Sequence, residues 1–126
     1  MFDDCHRITH EVIGGFYCVY NDLGYGFLER PYVNALTVEL AFRGLKVERE
    51  VPFEIIYRGV NVGVYRADLL VESKVIVEVK ASKDLSGSDE PQVINYLKAS
   101  CIEVALLLHF GPKARYRRLV YSNSRK

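Results

Sequence analysis

Between Tyr65 and Ser82 the chain reads YRADLLVESKVIVEVKAS, an apolar stretch that limits the available folds more than any other. Leu69–Val71 and Val75–Val77, with Val79 beyond, flank the polar triplet Glu72-Ser73-Lys74. Two apolar runs around a short polar break read as a β-hairpin. A turn centred on Ser73 sets Val71 opposite Val75, Leu70 opposite Ile76, Asp68 opposite Glu78 and Arg66 opposite Lys80. Strand alternation then predicts a wholly apolar face of Ala67, Leu69, Val71, Val75, Val77 and Val79. The other face gathers Asp68, Glu78 and Lys80.

Directly opposed carboxylates repel and weaken a hairpin, and an unpaired buried charge is costly. A divalent cation bound between Asp68 and Glu78 relieves both penalties. Carboxylate oxygens are hard ligands, suited to Mg²⁺ or Mn²⁺. A metal ion, a water it activates and a nearby cation such as Lys80 are what phosphodiester hydrolysis requires. The competing reading is a surface hairpin whose Asp, Glu, Lys and Arg pair across strands. The apolar character of the hairpin argues for a central position instead.

The rest of the chain supplies layers for such a sheet. Ile8, Val12, Ile13, Phe16, Val19 and Tyr20 give a helix over 6–22, with Gly14 and Gly15 marking close packing on another element. A glycine-marked break at LGYGF precedes a helix from Glu29 to Phe42, with Tyr32, Leu36 and Leu40 on one face. Pro31 fits it only in the first turn, and Gly44 closes it. Strands are predicted over 47–57, interrupted at Pro52, then over 60–71, 75–81, 102–110 and 116–121, with a helix capped by Ser88 before the fourth. The order is α-α-β-β-β-α-β-β, an α/β sandwich around a mixed sheet. The continuous apolar run Ile102–Phe110 suits a strand buried on both faces.

At 126 residues and 49% apolar content, a single domain over 1–126 with a real core is expected. Net charge is +1, so overall charge neither supports nor excludes nucleic acid. The end is different: Lys113 to Lys126 holds six basic residues and no acid, a stretch able to touch phosphates. Three scattered cysteines form neither a disulfide framework nor a zinc site. With no signal peptide and no apolar run of membrane-spanning length, a cytoplasmic protein without membrane contact is expected. His6 and His10 lack further ligands and read as a solvated pair.

The D-x9-E-x-K arrangement of Asp68, Glu78 and Lys80 resembles the signature of the PD-(D/E)XK nuclease superfamily. One branch is closer, the GxxExxY family, whose naming motif reads here as GFLERPY, with Gly26, Glu29 and Tyr32. ELAFRGLKVEREVPFEIIYRG, YRADLLVESKVIVEVKA and PQVINYLKAS continue the likeness over about residues 8–112. The resemblance implies a restriction-endonuclease-like core, a mixed sheet flanked by helices, and a Mg²⁺- or Mn²⁺-dependent nuclease acting on DNA. It implies Asp68, Glu78 and the Val79 carbonyl as metal ligands, with Glu29 as a further carboxylate. Lys80 would position the water and stabilise negative charge. Gln92 and Tyr96, four apart on the helix after the motif strand, would bind phosphate or orient Lys80. Tyr32 and Arg66 would contact nucleic acid. The alternative is a nucleic-acid-binding or interaction module of this fold with weak, partner-dependent or lost cleavage. The small surface favours a homodimer or protein partner.

Overall fold

The computed structural model describes residues 2–126, with side chains from Asp4 onward. Helices α1 (Phe2–Leu23) and α2 (Glu29–Phe42) precede strands β1 (Val47–Tyr57), β2 (Val60–Val71) and β3 (Val75–Lys80). Helix α3 (Asp89–Ala99) leads to β4 (Val104–Phe110) and β5 (Ala114–Val120), and a short 3₁₀ turn ends the chain. The sheet order is β1-β2-β3-β4-β5. Every pair is antiparallel except β3 and β4, which the α3 crossover makes parallel.

Helices α1 and α2 cover one face of the sheet, and α3 covers the other. The α1 stripe of Ile8, Val12, Phe16 and Val19 and the α2 stripe of Tyr32, Leu36 and Leu40 bury against Leu69, Val71, Val75, Val77, Val79, Leu106, Leu108 and Phe110. On the far face, Val93 and Leu97 of α3 pack on Leu70, Ile76, Ala105 and Leu107. Each fully buried aliphatic side chain contributes roughly 1.5–3 kcal/mol of transfer free energy. β4 is buried along its whole length, as a central strand between two helical layers must be. A Cβ on Gly15 would lie 2.9 Å from Leu40, so glycine there lets α1 approach α2. Arg43 ties the same pair together, bonding Glu39 at 2.8 Å and Glu11 at 3.1 Å.

The hairpin register is the expected one: Val71 pairs with Val75, Leu70 with Ile76 and Leu69 with Val77. Three expectations need correction. First, β1 runs through Pro52 unbroken, because β1 is an edge strand where a missing N–H costs little. Second, Ser88 makes no capping bond; Asp89 instead accepts from the Ser86 amide at 2.8 Å. Third, Ala67 does not share a face with Leu69. Ala67 and Tyr65 pack with the α3 layer, whereas Leu69 and Val71 pack with α1 and α2. The strand turns over at Asp68, and the opposite residue on β1, Glu50, has φ 49°. Register holds on both sides of this pivot, Arg49 with Leu69 and Val51 with Ala67. A left-handed residue on one strand therefore rotates both without slippage.

Candidate active site

The β2–β3 ladder ends at Leu69 and Val77, one residue short of Asp68 and Glu78. Beyond that point side chains replace the cross-strand backbone bonds. Asp68 Oδ2 accepts from the Val79 amide at 2.8 Å, and Glu78 Oε2 accepts from the Asp68 amide at 3.3 Å. Each acid caps the other's strand where the strands part. Glu78 is 8% exposed. Burial, and after it the neighbouring Asp68, raise its pKa well above the ordinary carboxylate range; Lys80 acts in the opposite direction.

Lys80 ends β3, half-buried, two residues along from Glu78 and on its face. From α3, Tyr96 stacks on Tyr65 with ring centroids 3.4 Å apart and planes within 9°. Burial and the charges of Glu78 and Asp68 raise the Tyr96 pKa, and a hydrogen bond from Gln92 opposes this. The structure thus brings Gln92, Tyr96, Glu78, Asp68 and Lys80 to one place.

Other expected members stand differently. Glu29 opens α2, exposed, on the rim of a cleft of about 250 Å³ that also contains Asp68, Arg49 and Glu50. Among the described residues, no group of three or more His, Cys, Asp and Glu is assembled to hold a metal ion, so Glu29 does not join the acidic pair as a third ligand in this arrangement. Tyr32, expected at the nucleic-acid surface, is fully buried. Its hydroxyl donates to the Gly24 carbonyl at 2.5 Å and accepts from the Phe27 amide at 3.2 Å, and its ring stacks on Phe110. It fixes the glycine-marked loop and has no surface to offer a ligand. Arg66 was expected across from Lys80; instead it pairs with Pro52 on β1, past the end of the β2–β3 ladder. Because its neighbours Tyr65 and Ala67 face α3, Arg66 is directed to the opposite side from Lys80.

Tyr65 is a site neighbour that the residue pattern did not reveal. It is 9% exposed, sandwiched between Phe53 and Tyr96, and its hydroxyl has no hydrogen-bond partner. Burial first, then Glu78, Tyr96 and Asp68, raise its pKa, which keeps it a proton donor. Strict alternation hid it, because the face change at Asp68 is invisible in the apolar pattern.

Two neighbouring carboxyls, one buried and one partly buried, supply the hard oxygen donors that a divalent cation takes. Among the residues present, Asp68 and Glu78 are the donors that would hold such an ion.

The family model described as PD-(D/E)XK nuclease superfamily matches residues 6–119. Among solved structures, the crystal structure of SSO0001 superposes with a TM-score of 0.48 at 24% identity, covering 69% of this chain and 48% of that one. The match therefore spans about half the length of SSO0001. No curated protein matches. The mixed sheet with helices on both faces is a restriction-endonuclease-like core, and the chain belongs to the PD-(D/E)XK nuclease superfamily.

Proposed function

We propose that this protein is a Mg²⁺- or Mn²⁺-dependent nuclease hydrolysing DNA phosphodiester bonds, built on a single domain of the GxxExxY branch and working in the cytoplasm. The observation that carries the reading is the mutual capping of Asp68 and Glu78, with Lys80 beside Glu78. Superfamily membership supports a nuclease and a nucleic-acid substrate. Among the described residues no helix is long and apolar enough to cross a membrane.

Asp68 and Glu78 would hold the cation, joined by the Val79 carbonyl, while Glu29 stands apart on the cleft rim. When bound, the ion supplies an activated water and neutralises charge at the phosphate. Lys80 aligns that water and donates to the oxygen on which negative charge develops. Gln92 and Tyr96 hold a neighbouring phosphate and keep the Lys80 side of the slot closed to solvent. Tyr65 packs beneath Tyr96 and fixes its ring. The products are a 5′-phosphate and a 3′-hydroxyl.

The test is cleavage of supercoiled plasmid with Mg²⁺ or Mn²⁺ and with chelator. The reading expects metal-dependent nicking by the wild type and none by Asp68→Ala. Nicking that survives the substitution overturns it.

One observation favours a partner. The β1–β2 hairpin projects past β3 with Ile56, Tyr57, Val60 and Val62 each more than half exposed. A second copy or another protein seated on this arm accords with the reading of a nuclease that cleaves only in an assembly.

A further inference from the structure

The strand register places a row of basic side chains beside the acidic pair. Lys80 of β3 lies beside His109 of β4, and His109 lies opposite Arg115 of β5. One pleat back, Glu78 lies beside Leu107, which lies opposite Arg117. Leu107 packs in the α3 layer, so alternation directs the whole row to the face that carries Glu78. Adjacent strands lie roughly 4.8 Å apart, so Lys80, His109 and Arg115 form a line about 10 Å long.

The row opens into a cleft of about 480 Å³ at the end of β4. Lys83, Lys113, Arg115 and Arg117 line it against the acids Asp84 and Glu90. Arg117 reaches Glu90 at 3.3 Å, both exposed, so that pair is weak and readily exchanged.

His109 gives the cleft a built element. It is 4% exposed and lines the cavity. Its Nε2–H donates to the Ser82 carbonyl at 2.7 Å, and its Nδ1 is buried without a hydrogen-bond partner. A Cβ on Gly111 would lie 2.5 Å from the ring, so the imidazole is clamped in place. A phosphate in the cleft offsets the excess of basic side chains over the two acids that line it.

We propose that the phosphodiester backbone of the DNA substrate leaves the acidic pair past Lys80 and lies along His109, Arg115 and Arg117 in this cleft. The track rests on the nuclease reading and adds to it the path of the bound strand. It also divides the basic end of the chain. Arg115 and Arg117 serve the track, whereas Lys126 folds back onto the carbonyls of Ser100 and Ile102, and Arg125 lies over Tyr121.

The experiment is fluorescence anisotropy of a fluorescein-labelled DNA duplex across a salt series, in chelator so that no cleavage intervenes. Each lost phosphate contact lowers the slope of log affinity against log salt by about 1. Arg115→Ala with Arg117→Ala is expected to weaken binding at least tenfold and to flatten the slope by about 2. His109→Gln, whose amide can keep the Ser82 bond, is expected to weaken binding as well. Arg7→Ala, exposed on α1 across the sheet, is expected to bind as the wild type does. Unchanged affinity and slope in the double variant overturn the track, as does tighter binding to RNA than to DNA at the same residues. Absence of binding by the wild type also overturns it. Metal-dependent nicking lost in Asp68→Ala decides the nuclease reading separately.

Discussion

Asp68 and Glu78 each cap the other's strand: Asp68 accepts the Val79 amide at 2.8 Å, and Glu78 accepts the Asp68 amide at 3.3 Å. Two acids are thus held together without a backbone ladder between them. The ladder's absence leaves a slot between β2 and β3, entered by α3 from one side and by the cleft below α2 from the other.

Asp68→Asn tests this exchange. The amide oxygen still accepts the Val79 N–H, while the Asp68 charge that helps raise the Glu78 pKa is gone. The metal-free variant is expected to melt at or above the wild-type temperature at neutral pH. Mn²⁺ is expected to raise the wild-type melting temperature by mass action and to leave the variant unmoved. Differential scanning calorimetry with and without Mn²⁺ checks both.

Glu78 gives a pH dependence of definite sign. Its folded pKa is raised, so the folded state keeps a proton that the unfolded chain releases at about pH 4.3. The contribution to stability is full below that pH and is lost as pH rises toward the folded value. Metal-free protein is expected to lose stability between about pH 5 and pH 8, and Glu78→Gln to flatten that slope. Urea denaturation at several pH values measures it.

Tyr32→Phe separates scaffold from ligand contact. The variant leaves the Gly24 carbonyl and Phe27 amide without their partner. A cost of about 1–2 kcal/mol is expected, with DNA affinity unchanged. Denaturation and anisotropy on the same preparation give the two numbers.

Gly111→Ala probes the clamp on His109. The added methyl meets the imidazole at Cε1 and at Nε2, the nitrogen bonded to Ser82, so the ring must move. Overpacking of this kind costs about 1–3 kcal/mol. Histidine NMR is expected to show the Nε2 resonance of His109 shifted from its wild-type position.

Much of the fold was legible because the periodicities are clean. The stripe of Tyr32, Leu36 and Leu40 and the turn at Ser73 follow from spacing alone, and both occur as expected. The face of Ala67 and Tyr65 was not legible. It depends on a left-handed Glu50, a conformation that glutamate rarely adopts and that no composition signal announces. Arg66 was misplaced for the same reason: alternation carried through a pivot reverses every later side chain. Tyr32 was assigned to nucleic acid by the resemblance, whereas its spacing set it on the apolar stripe with Leu36 and Leu40; the structure keeps it on that stripe, its hydroxyl on the Gly24 carbonyl. His109, within an unbroken apolar run, carried no signal until parallel pairing set it beside Lys80.

The central claim is that Lys80 acts on the reaction while the acidic pair holds the ion. Single-turnover cleavage of a DNA duplex by Lys80→Ala, with Mn²⁺ affinity measured by calorimetry on the same protein, tests it most directly. The account predicts Mn²⁺ binding close to wild type and a cleavage rate lower by about 10²–10³, the usual cost of removing one preorganised charge-stabilising donor. Cleavage at the wild-type rate with Mn²⁺ bound would contradict it.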